Sequence, residues 1–286
     1  MSKIAFLGTG LLGSGLVKGL RSKDHEVTVW NRTPGKAQEL IEAGAKVAST
    51  PAEAVAGVDR VHLCLSADAA VEAVLAAALP SLAKGTPILD HTTTAPKLTA
   101  ARAEQLTAAG HAFLHAPVFM SPAAAAKCAG IMMCSGPQAL FDQVQAEVAT
   151  MTGELWYVGA DFQRAAGLKL LGNSMLFSIA AGLADVFSIA AGCGLSPADA
   201  MDVLGKLKPA GTLELRGKKM AAGDYSASFE LTMARKDMGL MLDAVGAAPL
   251  AALRAIAARS DELIAQGHGA EDLGVLAIGA VPAKIA

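Results

Sequence analysis

The sequence predicts an α/β protein with an N-terminal doubly wound parallel sheet and an all-helical C-terminal domain. Three observations carry this. Up to about residue 160, short β-rich runs alternate with stretches of helical length, the pattern of repeated βαβ units. A glycine-rich turn, Gly8-Thr9-Gly10-Leu11-Leu12-Gly13, lies between the first strand and the first helix. After Gly159 the strand runs stop and segments of period 3.6 take over, punctuated at Ser196-Pro197, Pro209, Gly223 and Pro249. The 286 residues, 53% apolar and 17% charged, are enough for two domains with a large core, expected over 1–161 and 162–286.

In order, the first half reads as a strand over Lys3 to Gly8, a helix from about Gly10 to Ser22, and a strand over Glu26 to Trp30. Further strands are expected at Arg60 to Leu65, Pro87 to Asp90, His111 to Val118, Gly130 to Ser135 and Leu155 to Val158, with Ala-rich helical segments between them. The second half opens with a helix over Phe162 to Gly192, about 45 Å long, a length that suits a domain connector or a dimer interface. Leu170 to Leu195 is apolar enough to resemble a membrane span. Lys169, Asn173 and Asp185 interrupt the pattern at helical spacing, so it reads instead as a buried central helix.

Charge and cysteines exclude several functions. Lys and Arg number 24 against 26 Asp and Glu, a net −2 that gives no support to non-specific nucleic-acid binding. Cys64, Cys128, Cys134 and Cys193 are far apart with no CxxC pair, which points to reduced thiols and away from disulfides or a zinc cluster. The N-terminus has neither a basic start nor an apolar signal-peptide core, so a cytoplasmic protein with no membrane partner is expected.

The GxGxxG of Gly8, Gly10, Leu11, Leu12 and Gly13 stands where a dinucleotide-binding Rossmann domain needs it. Gly8 permits the tight turn, Gly10 leaves room for a pyrophosphate, Gly13 allows close helix packing, and the helix N-terminus offers free N–H groups. Leu65 and Ser66, at the end of a later strand, join the expected cofactor contacts. The second strand ends Trp30-Asn31-Arg32-Thr33 with no carboxylate to accept a ribose 2′-hydroxyl. Arg32 can pair with a 2′-phosphate, and Asn31 and Thr33 can donate to it, so NADP(H) is favoured over NAD(H).

These motifs, with Asp90-His91-Thr92-Thr93-Thr94-Ala95-Pro96, Ala116-Pro117-Val118, Gly167-Leu168-Lys169 with Asn173, and Arg235-Lys236-Asp237, resemble the β-hydroxyacid dehydrogenases over nearly the whole chain. That family includes 3-hydroxyisobutyrate dehydrogenases and glyoxylate or succinic semialdehyde reductases. The resemblance implies that Lys169 is the general acid and base, with Asn173 one helical turn away beside it. It implies that Thr92 and Thr93 stand in for a Ser-Thr pair at substrate and cofactor, and that Lys236 approaches the cofactor from the helical domain. Asp185 matches an acidic family position with no catalytic role expected. His91 reads as a solvated loop histidine. The resemblance further implies a cleft between the domains and a homodimer or homotetramer.

One loop departs from the pattern. Where the family continues Ala-Pro-Val with Ser-Gly-Gly or Ser-Gly-Ser, a nest for the substrate carboxylate, this chain has Phe119, Met120 and Ser121, and only Ser121 matches. Phe119 and Met120 either fill that pocket, line a more apolar one, or turn into the core. The expectation is an NADP(H)-dependent enzyme that interconverts a small carbonyl compound and its alcohol without a metal. Two rivals stand: an NADPH-dependent imine reductase, although such enzymes mostly carry Asp or Tyr at the position of Lys169, and a non-catalytic cofactor-binding interaction module.

Overall fold

The computed structural model describes residues 1–281, which form two compact units, Met1–Asn173 and Ser174 onward. The division falls inside the long helix, twelve residues later than the 161/162 boundary read from the sequence, because the first turns of that helix pack on the sheet.

The first unit is built on one nine-stranded sheet. Its strands are β1 (Lys3–Leu7), β2 (Glu26–Trp30), β3 (Lys46–Val47), β4 (Arg60–Leu63), β5 (Pro87–Asp90), β6 (Ala112–His115), β7 (Val118–Phe119), β8 (Ile131–Ser135) and β9 (Glu154–Gly159). They run in the order β3-β2-β1-β4-β5-β6-β8-β7, with β9 on β8; β3 through β6 are parallel. The order reverses direction at β1, which lies between β2 and β4. That is the switch point where open α/β sheets bind ligands beyond their strand ends.

Both sheet faces are covered, so the central strands are buried along their length. Ile4 and Phe6 of β1 face one core with Leu16 and Leu20 of helix α1 (Leu11–Arg21) and Phe141 of α7 (Gln138–Val148). Ala5 and Leu7 face the other, with Val71 and Leu75 of α4 (Asp68–Ala78) and Leu106 of α5 (Pro96–Ala108). Short helices α2 (Pro34–Gln38), α3 (Pro51–Ala54) and α6 (Pro122–Ala126) complete the unit. One expectation is corrected and one strand is added. The strand read over His111 to Val118 is two strands, because Pro117 has no N–H for the ladder, and β3, absent from the sequence reading, is a two-residue strand too short to show periodicity.

Helix α8 spans Phe162–Gly192, as the sequence predicts. It is not buried: of its most apolar 18 residues only 11% are covered by the chain itself. The second unit contains α9 (Pro197–Leu207), α10 (Ala210–Ala221), α11 (Leu231–Val245) and α12 (Leu253–Leu263), with small cores around Leu231, Leu263 and Val275 and around Met238 and Ala257. Two buried carboxylates organise its loops. Asp272 accepts from Arg216 Nε at 2.9 Å, Ser228 Oγ at 2.7 Å and three backbone N–H groups. Asp185 accepts from the N–H groups of Ala251, Ala252 and Leu253 at 2.6, 3.0 and 2.7 Å, holding the start of α12. Burial opposes ionisation of Asp185, but these three bonds outweigh it and hold the carboxyl below its usual range. That accounts structurally for the acidic residue singled out in the sequence.

Candidate active site

A cavity of about 640 Å³ opens beyond the carboxyl ends of β1, β2, β4 and β5. Gly8 ends β1 with φ +104°, a conformation that L side chains rarely adopt, and a Cβ there would strike the Cys64 carbonyl. Gly13 seats α1 on the Gly8 carbonyl in the same way. Gly10 caps α1 with no side-chain bond, so the first-turn N–H groups are open toward an anion. Leu11, Leu12, Leu65, Ser66, Thr92 and Thr93 line the same cavity, and Ala70, Ala73 and Ala77 give it a smooth wall along one face of α4. A close-approach glycine turn, an uncapped helix end and an apolar wall are what a dinucleotide requires, so these residues fit the cofactor.

Asn31, Arg32 and Thr33 line the cavity at the end of β2. Asn31 is a brace: its Oδ1 accepts from Thr9 N–H at 3.0 Å and its Nδ2 donates to Thr33 O at 3.0 Å. Arg32 and Thr33 are exposed. Lys36, on the first turn of α2, also lines the cavity and was not singled out in the sequence. The signal was a second cation close behind Arg32, at the start of the helix that follows β2.

The loop after β5 divides its threonines. Thr92 is buried: its Oγ1 accepts from Leu65 N–H at 3.0 Å and its own N–H donates to Asp90 Oδ1 at 2.9 Å, fixing two cavity loops to each other. Thr93 is exposed on the cavity wall. Burial pushes the Asp90 carboxyl up to about 6, against the pull of the Thr92 bonds and of Arg102.

His91 is not solvated; it is 2% exposed and ends a buried chain. Arg60 Nε donates to His62 Nε2 at 2.9 Å, His62 Nδ1 pairs with His91 Nε2 at 2.8 Å, and His91 Nδ1 pairs with the Ala116 carbonyl at 2.7 Å. Because Arg60 only donates, both imidazoles carry their proton on Nδ1 and every bond points toward Ala116. Burial keeps both rings neutral, with His91 lowered to about 4. The rings stack on each other and His62 stacks on Phe6.

Two residues beyond Ala116, the Val118 carbonyl accepts from Lys169 Nζ at 2.7 Å. Lys169 projects from the second turn of α8, and burial lowers its pKa below the ordinary lysine value. The Phe119 ring lies over it, with Nζ 4.1 Å from the ring centroid. Phe119 packs with Met133, Val158 and Ala165, whereas Met120 packs on the main core and Ser121 accepts from Ala124 N–H as the cap of α6. Asn173 follows Lys169 by one turn, half-buried. Lys236 lies on α11 of the second unit, paired with Asp237 at 2.6 Å.

Comparison with known proteins agrees with this geometry. Residues 3–159 match the NAD binding domain of 6-phosphogluconate dehydrogenase, and residues 164–277 match the NAD-binding family of NADP-dependent 3-hydroxyisobutyrate dehydrogenase. An uncharacterized oxidoreductase of Shewanella frigidimarina is 31% identical over 251 residues, 85% of each chain. The cytokine-like nuclear factor N-PAC of Homo sapiens is 30% identical over 84% of this chain, which spans 44% of that longer protein. Among solved structures, a reductive aminase from Aspergillus terreus in complex with NADPH and ethyl levulinate superposes with a TM-score of 0.86 at 27% identity, over 98% of this chain and 99% of that one. An imine reductase from Pseudomonas sp. shares the fold with a TM-score of 0.88 at 22% identity, over 96% and 98%. A nucleotide cavity at the sheet's switch point, a lysine held on the first helix beyond the sheet, and family matches across both halves lead to one statement: the chain belongs to the β-hydroxyacid dehydrogenase family of pyridine-nucleotide oxidoreductases.

Proposed function

We propose that the protein is an NADPH-dependent reductase of small carbonyl compounds, with Lys169 as the proton donor in reduction and the acceptor in oxidation. The observation that carries the reading is the half-buried Lys169 amine, held by the Val118 carbonyl and lowered in pKa by desolvation. A reduced nicotinamide bound in the cavity supplies hydride. Lys169 gives a proton to the oxygen as it becomes an alkoxide, and Val118 keeps the amine from turning away. Asn173, one turn after Lys169, and Thr93 orient the same oxygen, and Thr92 holds the loop that presents Thr93. Arg32 and Lys36 supply positive charge for a 2′-phosphate, which supports NADP(H) over NAD(H).

The reading includes self-association as a homodimer or homotetramer. Leu171, Leu176 and Phe177 are 68%, 55% and 71% exposed on α8, an apolar run that a single chain leaves uncovered.

A second reading, imine reduction, draws support from the reductive aminase at 27% identity. The test is NADPH oxidation with carboxylated aldehydes, uncharged aldehydes and ketones, and cyclic imines, each with wild type and Lys169→Ala. Carbonyl turnover lost in the variant supports the first reading. Imine turnover exceeding every carbonyl overturns it in favour of the second, and NADPH binding with no turnover of either favours the interaction module.

A further inference from the structure

We infer that Phe119 sets the substrate class of this enzyme: its ring, seated on the Lys169 ammonium and against Gly172, directs the site to carbonyl compounds with uncharged substituents and away from carboxylated ones. The inference rests on the reductase reading above.

Register fixes the direction of the ring. Phe119 pairs with Ile131 across β7 and β8 and packs with Met133, Val158 and Ala165, whereas Met120, one residue on, packs on the main core. Side chains alternate along an extended strand, so only Phe119 meets Lys169. Gly172 makes the seat, because a Cβ at that position would strike Cζ at the tip of the ring. The ring cannot retreat either, because the Val158 cluster backs it.

The ring then acts on charge. An aromatic face is negative; it attracts the ammonium 4.1 Å away and repels a carboxylate. Lys169 has three N–H bonds: one goes to Val118 O, one side is covered by the ring, and one is left for a single substrate oxygen. Lys169 itself then has no N–H left for a carboxylate. Ser121, the loop residue with a small polar side chain, is turned to capping α6. A carboxylate brought against the phenyl face loses its water there and gains no bond from Lys169 in return.

The test compares kcat/KM for succinic semialdehyde and its methyl ester, at equal NADPH, in wild type, Phe119→Ser and Phe119→Leu. Wild type is expected to favour the ester at least tenfold. Phe119→Ser should shift the acid-to-ester ratio at least tenfold toward the acid. Phe119→Leu, which keeps an apolar side chain and removes the negative face, should move the alkaline limb of kcat to lower pH, because the ring favours charged Lys169. NADPH binding by fluorescence checks the fold of each variant; if Phe119→Ser fails it, Phe119→Val carries the same comparison. A wild type that favours the acid, or a ratio unchanged within threefold in the variant, overturns the inference while leaving the reductase reading intact. A wild type that reduces neither compound nor any other aldehyde or ketone of the panel overturns both; if it reduces only others, the same acid and ester comparison is made on the best of them and decides the inference in the same way.

Discussion

Lys169 is the residue where opposing effects meet. Desolvation favours the neutral amine, while the Val118 carbonyl and the Phe119 ring favour the charged one. Lys169→Ala should lower kcat by about 10²-fold or more, the low end for a lost general acid, with the NADPH Kd unchanged within threefold by fluorescence titration. Arg32→Ala and Lys36→Ala should each weaken NADPH about tenfold, equal to about 1.4 kcal/mol, and leave NADH within twofold; equal losses for both nucleotides would remove the 2′-phosphate from the reading. The glycine turn was legible because its chemistry is local to a motif, whereas Lys169 was singled out by family resemblance, its helix alone reading as well as a surface lysine. His91 was not, because its partner His62 is 29 residues away on a neighbouring strand and no spacing announces the pair.

Elements were legible where one period runs long enough. Helix α8 was read to the residue over 31 residues, and the β1-α1-β2 unit within a residue or two. What failed was the break at Pro117, where a continuous apolar run hides a proline that splits β6 from β7. That break places Val118 and Phe119 on a short strand beside α8. The contact is testable in the helix itself. Alanine at position 172 should stabilise a helix by about 1 kcal/mol on propensity alone, but here it invades the Phe119 ring. Gly172→Ala should therefore cost about 1–3 kcal/mol in urea unfolding, and Phe119→Leu should recover more than half of that in the double variant. Additive losses would mean that ring and glycine do not share the space.

At the scale of the molecule, buried histidines set the acid response. His62, His91 and His115 are fully buried and held neutral, His91 at about 4 and His115 at about 3 against an ordinary 6.5. Unfolding frees them to bind protons, so their contribution is fully present above pH 6.5 and is lost as pH falls toward 4. Asp90 acts in the opposite sense: with its carboxyl raised to about 6 from 3.8, its contribution is present below 3.8 and lost as pH rises to 6. Three groups outweigh one, and Tm should fall between pH 6.5 and 4; a flat Tm over that window would contradict the buried chain. Light scattering should give a multiple of the 28.9 kDa chain, and Phe177→Glu should reduce it. The bare start of α1 has a thermodynamic meaning as well. A helix that brings no cap of its own leaves that bond to be made by the nucleotide, so binding completes the secondary structure. Nucleotide at 100 times its Kd adds about 2.7 kcal/mol to folding. The loaded protein should therefore be the form that resists heat and protease longer, so that nucleotide acts on this fold as a structural part as well as a ligand.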